Sequence, residues 1–136
     1  MKRKNNDLGL LILRISIGFL MLFHGIAKFN IGGMMNLIQK MLTDIGIPGF
    51  ISYGVFIGEI VAPVAMIAGF RTRIASIVFA VNCLVIIFLV RAPDFFKLDD
   101  FGGWALEVIG LYLLGSVALF FTGAGKYAIS TIHDWD

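Results

Sequence analysis

The chain alternates long apolar runs with short polar breaks. Four runs stand out: Leu8 to Phe29, Phe50 to Phe70, Ile74 to Val90 and Trp104 to Phe121. A hydrocarbon core of about 30 Å needs roughly 20 helical residues. Each run is long enough, or nearly so, to cross a bilayer as a helix, and the third, as the shortest, must stand upright or borrow its flanks. Only "GFRTR" separates the second run from the third, so these two helices form an antiparallel hairpin. The break after the first run has its own pattern. Met34, Leu37, Ile38, Met41, Leu42 and Ile45 fall at helical spacing, with Asn36, Gln39, Lys40, Thr43 and Asp44 on the opposite face. This predicts an amphipathic helix too short to span, freed from the first span by Gly32-Gly33 and ended by Pro48. It reads either as an interfacial connector packed on the bundle or as a lid over an outward-facing site. The expected fold is all-α: an integral membrane four-helix bundle with an extra short interfacial helix in the first outer loop, built as a single transmembrane domain over residues 1–136.

Composition supports this reading, since 59% of the chain is hydrophobic and 15% charged, which is unlike a soluble domain. The basic residues set an orientation. With the N-terminus cytoplasmic, the inner side carries Lys2, Arg3, Lys4, Arg71, Arg73 and Lys126, and the outer side Lys40, Arg91 and Lys97, with Lys28 at the boundary. Both termini are then cytoplasmic. The opening "KRKNN" resembles the start of a signal peptide, but the apolar run behind it exceeds a signal core of about 7–15 residues and no small-x-small pattern follows, so this span is expected to be retained. The formal charge of +2 gives no reason to invoke nucleic acid; the partner that the composition implies is the lipid bilayer. Cys83 is the single cysteine, which excludes an intramolecular disulfide and a CxxC redox pair. Phe29, Phe50, Tyr53, Phe95, Phe96, Phe101 and Trp104 fall where an outer aromatic belt would lie.

Five ionisable residues fall inside the runs: Arg14, His24 and Lys28 in the first, Glu59 in the second and Glu107 in the fourth. A lipid-facing charge at the bilayer centre costs at least about 2.5–3.5 kcal/mol, so these side chains should face the bundle interior. Arg14, Gly18, Met21, Gly25 and Lys28 follow a 4-3-4-3 spacing, a single stripe on a helix, with His24 beside it; the glycines let a neighbouring helix approach closely. With a rise of about 1.5 Å per residue, Glu107 comes level with Lys28 and His24, and Glu59 between His24 and Arg14. The simplest arrangement pairs Glu107 with Lys28 or His24, and Glu59 with Arg14 or His24. Histidine is the side chain whose ordinary range lies nearest neutral pH, which makes His24 the candidate proton carrier of the group. Such a cluster either locks the helices together or forms a polar pocket suited to a quinone headgroup, a proton relay or a small polar solute. Pro63, four residues after Glu59, frees the Glu59 carbonyl from its helical hydrogen bond. No zinc cluster, bis-histidine haem site or nucleophile with its base can be assembled from these residues.

The segments "LRISIGFLMLFHGIAKF", "GEIVAPVAMIAGFRTRIAS" and "FTGAGKYAIS", in this order and spacing, resemble the DoxX family of small four-helix bacterial membrane proteins. After the Gly123-Ala124-Gly125-Lys126 turn the chain departs from the family's serine-and-acid pattern, with Ala128 and Ser130 in that region. The resemblance implies a bacterial cytoplasmic-membrane protein tied to redox systems, of the kind that supplies a subunit to a quinone-linked oxidoreductase or takes part in thiol and superoxide defence. It implies no cofactor within the chain beyond a possible quinone. Other redox subunits, or further copies of this chain, are the partners to expect. A transporter or binder of a small polar solute, and a non-catalytic scaffold, stand as alternatives.

Overall fold

The structure, a computed structural model, describes residues 2–30 and 33–136. Among the described residues the chain builds five main helices, α1 (Lys2–Asn30), α2 (Met34–Asp44), α3 (Gly49–Ala68), α4 (Thr72–Val90) and α5 (Glu107–Thr122), with a short 3-10 turn at Ala92–Asp94. No β-strand occurs among the described residues; an isolated antiparallel bridge joins Leu98 to Trp104. The four long helices close a ring in which α1 packs on α3, α3 on α4, α4 on α5 and α5 back on α1. The start of α1, the α3–α4 turn and the tail after α5 gather at one end, here the near end. The α2 helix and the loop between α4 and α5 cover the far end.

The bundle is arranged for lipid. Ile12, Phe19, Phe23, Val61, Val64, Phe88 and Leu111 are exposed apolar side chains on its outer surface, and α1, α3 and α4 are long and apolar enough to cross a membrane. Inside, Met21, Met66, Phe79, Cys83, Tyr112 and Leu119 form the core. The shortest span is the fourth rather than the third. α5 begins at Glu107, not Trp104, and its 16 residues rise about 24 Å. Residues 97–105 instead form a small loop hairpin. Asp99 N–H donates to Gly103 O (2.7 Å), Ala105 N–H to Lys97 O (3.0 Å), and the Trp104 indole to Phe95 O (2.6 Å).

Two local features position the site. The α3–α4 turn is a Schellman motif: Gly69 takes φ 72°, and the N–H groups of Gly69 and Phe70 return to Met66 O (3.1 Å) and Ala65 O (3.0 Å). Upstream, α3 changes pitch, because Ile57–Val61 forms a π-turn in which Ala62 N–H reaches back to Ile57 O. The missing N–H of Pro63 breaks the ordinary ladder at the Glu59 carbonyl. Single π-turns in α-helices recur at functional sites, and this one contains Glu59.

The short helix forms where its apolar spacing predicts. It rests on the opening turn of α3 and the end of α4, burying Ile38 and Leu42 while leaving Leu37 and Ile45 exposed. Gly33 has φ 98°; Gly32, the other half of the expected hinge, lies outside the described residues.

Candidate functional site

The sequence places Arg14, Gly18, Met21, Gly25 and Lys28 on one stripe of α1, and in the structure the first four are buried while Lys28 is partly buried. The glycines set the α1–α3 contact. A Cβ on Gly25 would lie 2.8 Å from the Glu59 carbonyl oxygen and 2.7 Å from Ile60, and one on Gly18 would lie 2.8 Å from the Pro63 carbonyl oxygen. α1 therefore lies directly against the backbone of α3 at the π-turn and at the proline beyond it.

This approach brings Lys28 to Glu59. The Lys28 ammonium donates to Glu59 Oε1 in an ion pair in which the lysine side chain is 16% exposed and the carboxylate 0%. Glu59 Oε2 is equally buried and has no hydrogen-bond partner. The carboxylate borders a cavity of about 280 Å³ at the far end of the bundle, with His24, Lys28 and Met21 from α1, Met34 from α2, Ile86, Val90 and Arg91 from the end of α4, and Leu106, Ile109 and Tyr112 from the α5 region. The Tyr112 ring stands edge-on to both His24 (6.4 Å between centroids) and Phe79 (6.2 Å). His24 is exposed on the bundle surface and reaches the cavity from its rim. Arg91 is held at the mouth by Asp94 (2.8 Å) and the Ala105 carbonyl. The ion pairs of Asp94 lie outside the spans; its bonds to Lys97 and Arg91 hold its carboxyl below the usual range.

The pairings expected from depth alone are not the ones formed. Arg14 meets no carboxylate. Its guanidinium donates to Met66 O (3.2 Å), Ile67 O (3.0 Å) and Tyr127 O, so it caps the last carbonyls of α3, where four C=O groups lack helical partners and the helix dipole is negative. It also pins the tail, alongside Ile129 N–H to Ala68 O (3.1 Å) and Ser130 N–H to Gly69 O (3.2 Å). Glu107 lies outside the cavity lining and is exposed. A Cβ on Gly103 would sit 2.9 Å from its Oε2, which places this carboxylate over the loop at the start of α5. Of the five residues that the sequence singles out, the cavity thus gathers His24, Lys28 and Glu59.

It also recruits Tyr112, Arg91 and Leu106, which sequence reasoning passed over. Tyr112 carried a usable signal, because a phenol inside an apolar span is a polar handle that needs a partner. A wider polar cavity of about 500 Å³ lies at the near end, bordered by Asp7, Arg73, Gly123, Lys126 and Asp136 among others. There two of the three lining carboxylates are engaged, Asp7 by Lys126 N–H (3.1 Å) and Asp136 by Ser130 and the N–H groups of Ile132 and His133. Among the described residues no group of His, Cys, Asp and Glu is arranged to hold a metal.

An all-helical bundle with a lipid-facing apolar surface, closed around a buried ion pair beside an apolar cavity, defines a small polytopic membrane protein. The chain belongs to the DoxX family, whose family model matches residues 9–92. It is similar to the protein named "Putative oxidoreductase CatD" of Bacillus subtilis (strain 168), 33% identical over 128 residues that cover 93% of this chain and 87% of that protein. No solved structure matches the chain.

Proposed function

We propose that this DoxX protein is the membrane subunit of a quinone-linked or oxidative-stress redox system, and that the cavity beside Glu59 receives a quinone headgroup. The observation that carries the reading is the unpaired, fully buried Oε2 of Glu59, a residue bordering a cavity lined mainly by apolar side chains such as Met21, Ile86, Leu106 and Ile109. An apolar cavity of roughly 150 Å³ holds a benzene ring, so about 280 Å³ has room for a substituted ring with its oxygens. Ligand sites of this type combine apolar walls with a few placed polar groups, here Glu59, Lys28, His24 and Tyr112. The same apolar lining argues against a small polar solute.

In this reading a bound quinone supplies two-electron, two-proton redox chemistry, and the chain's own residues bind, orient and exchange protons. Tyr112, His24 and Glu59, the last fixed by Lys28, would supply the polar contacts to the ring oxygens. Electrons would come from a partner redox subunit, since the single cysteine, Cys83, cannot form a dithiol cycle within the chain. Arg71, Arg73, Lys126 and the start of α1 share the near end, which under the positive-inside rule supports a cytoplasmic near end, with the cavity toward the outer face of the bacterial inner membrane. The test is retention of quinone by protein purified in lipid, with His24→Ala and Glu59→Gln variants. Weakened retention in both supports the reading, and retention unchanged in both would sink it.

A further inference from the structure

We infer that the cavity prefers the reduced, hydroxyl-bearing form of its ring ligand, because the carboxylate that borders it, Glu59, has a free oxygen that can only accept a hydrogen bond. This rests on the cavity being a quinone-type site and adds which redox form it selects. Glu59 is 0% exposed, its Oε1 is taken by Lys28, and its Oε2 has no donor. A carboxylate in an ion pair is acceptor-only, with about four lone-pair sites, and a buried acceptor left without a donor costs free energy that a ligand can recover by donating to it. A quinol O–H supplies that donor. A quinone carbonyl placed there sets two acceptors against each other.

The other polar groups do not reverse this preference. Tyr112 can donate or accept, and a neutral imidazole at His24 offers one donor and one acceptor, so both adapt to either form of the ring. Arg91 is committed to Asp94 and the Ala105 carbonyl. Lys28 is a donor, but its ammonium is already engaged by Glu59 Oε1. The buried Asn82 amide nitrogen is itself without a partner and makes no bond to Glu59. Glu59 Oε2 therefore calls for a donor, and Tyr112 and His24 tolerate either form.

The experiment is anaerobic equilibrium binding of duroquinol and of duroquinone to the full chain in lipid nanodiscs. Hydrogen bonds to charged groups correspond to roughly tenfold or more in affinity, so duroquinol is expected to bind about tenfold or more tighter than duroquinone. In Glu59→Gln, whose amide can donate as well as accept, that ratio is expected to fall below about threefold. Equal affinities in the unaltered chain, or tighter binding of duroquinone, overturn the inference and leave the quinone-site reading standing; binding of neither compound overturns both. The ratio in the unaltered chain decides the matter even if the variant does not fold.

Discussion

The contact between α1 and α3 can be tested by making one substitution at two places on the same helix. Gly9 and Gly25 both lie in α1, but a Cβ at Gly9 would meet nothing within 4 Å, whereas one at Gly25 would lie 2.7 Å from Ile60 Cγ1 and 2.8 Å from the Glu59 carbonyl oxygen. Ala is favoured over Gly in a helix by about 0.8–1.0 kcal/mol, and both variants gain this. Gly25→Ala alone then meets backbone that cannot rotate away, and overpacking of this kind costs about 1–3 kcal/mol. The difference between the two variants isolates the clash, since the propensity gain cancels. For a chain of this size about 1 kcal/mol moves Tm by roughly 3–5 °C, so Gly25→Ala should melt at least about 3 °C below Gly9→Ala in the same lipid or detergent. Gly25→Ala should also weaken ligand binding, because the carbonyl it displaces belongs to Glu59. If the two variants melt together, α1 does not rest on the π-turn and the geometry assigned to Glu59 is wrong.

Three further outcomes follow from the charges. Lys28→Met leaves Glu59 buried without its cation and should cost about 3–5 kcal/mol in unfolding, most of it recovered in Lys28→Met/Glu59→Leu, because an apolar replacement of a buried pair is close to neutral; a double variant no more stable than the single would show that the pair is not what holds these helices. At the near end, the Ser130 hydroxyl and the His133 and Ile132 N–H groups pull the Asp136 carboxyl down to about 2 from 3.8. Its folded-state pKa lies below its unfolded one, so its contribution is present above about pH 4 and lost as pH falls through about 2; the exchange protection factors of the Ile132 and His133 amides should fall across that window, and Asp136→Asn should remove the step. Glu107→Gln should change stability by no more than about 0.5 kcal/mol and leave duroquinol affinity unaltered, since the carboxylate lies over the loop; a clear loss of affinity would return it to the site.

Much of the architecture could be read from hydrophobic length and period. Spans, the hairpin at "GFRTR", the amphipathic α2 and the buried stripe of α1 all follow from where apolar residues and glycines recur, because a membrane helix has few other ways to satisfy its backbone. The start of α5 could not be read this way. Trp104 and Ala105 are as apolar as a span, but their hydrogen bonds go to Phe95 and Lys97 across the loop, a tertiary choice with no periodic signature. Nor could hydropathy reveal the π-turn, although Pro63 pointed to the right carbonyl.

The misjudged pairings have one physical cause. A ruler of residues along each helix locates Cα atoms, but side chains on a helix lean toward its N-terminus. α1 starts at the near end, so the long Arg14 side chain leans that way, away from Glu59 and onto the final carbonyls of α3. Lys28, on the same helix, leans inward from the far rim. α3 and α5 start at the far end, so Glu59 leans outward and meets Lys28, while Glu107 leans out of the bundle toward Gly103. Helix direction alone therefore sorts two cations and two carboxylates into one cap, one ion pair and one surface acid. It leaves one oxygen of the carboxylate bordering the cavity, Glu59 Oε2, buried without a partner, and on the proposed reading that oxygen is where a ligand would be recognised.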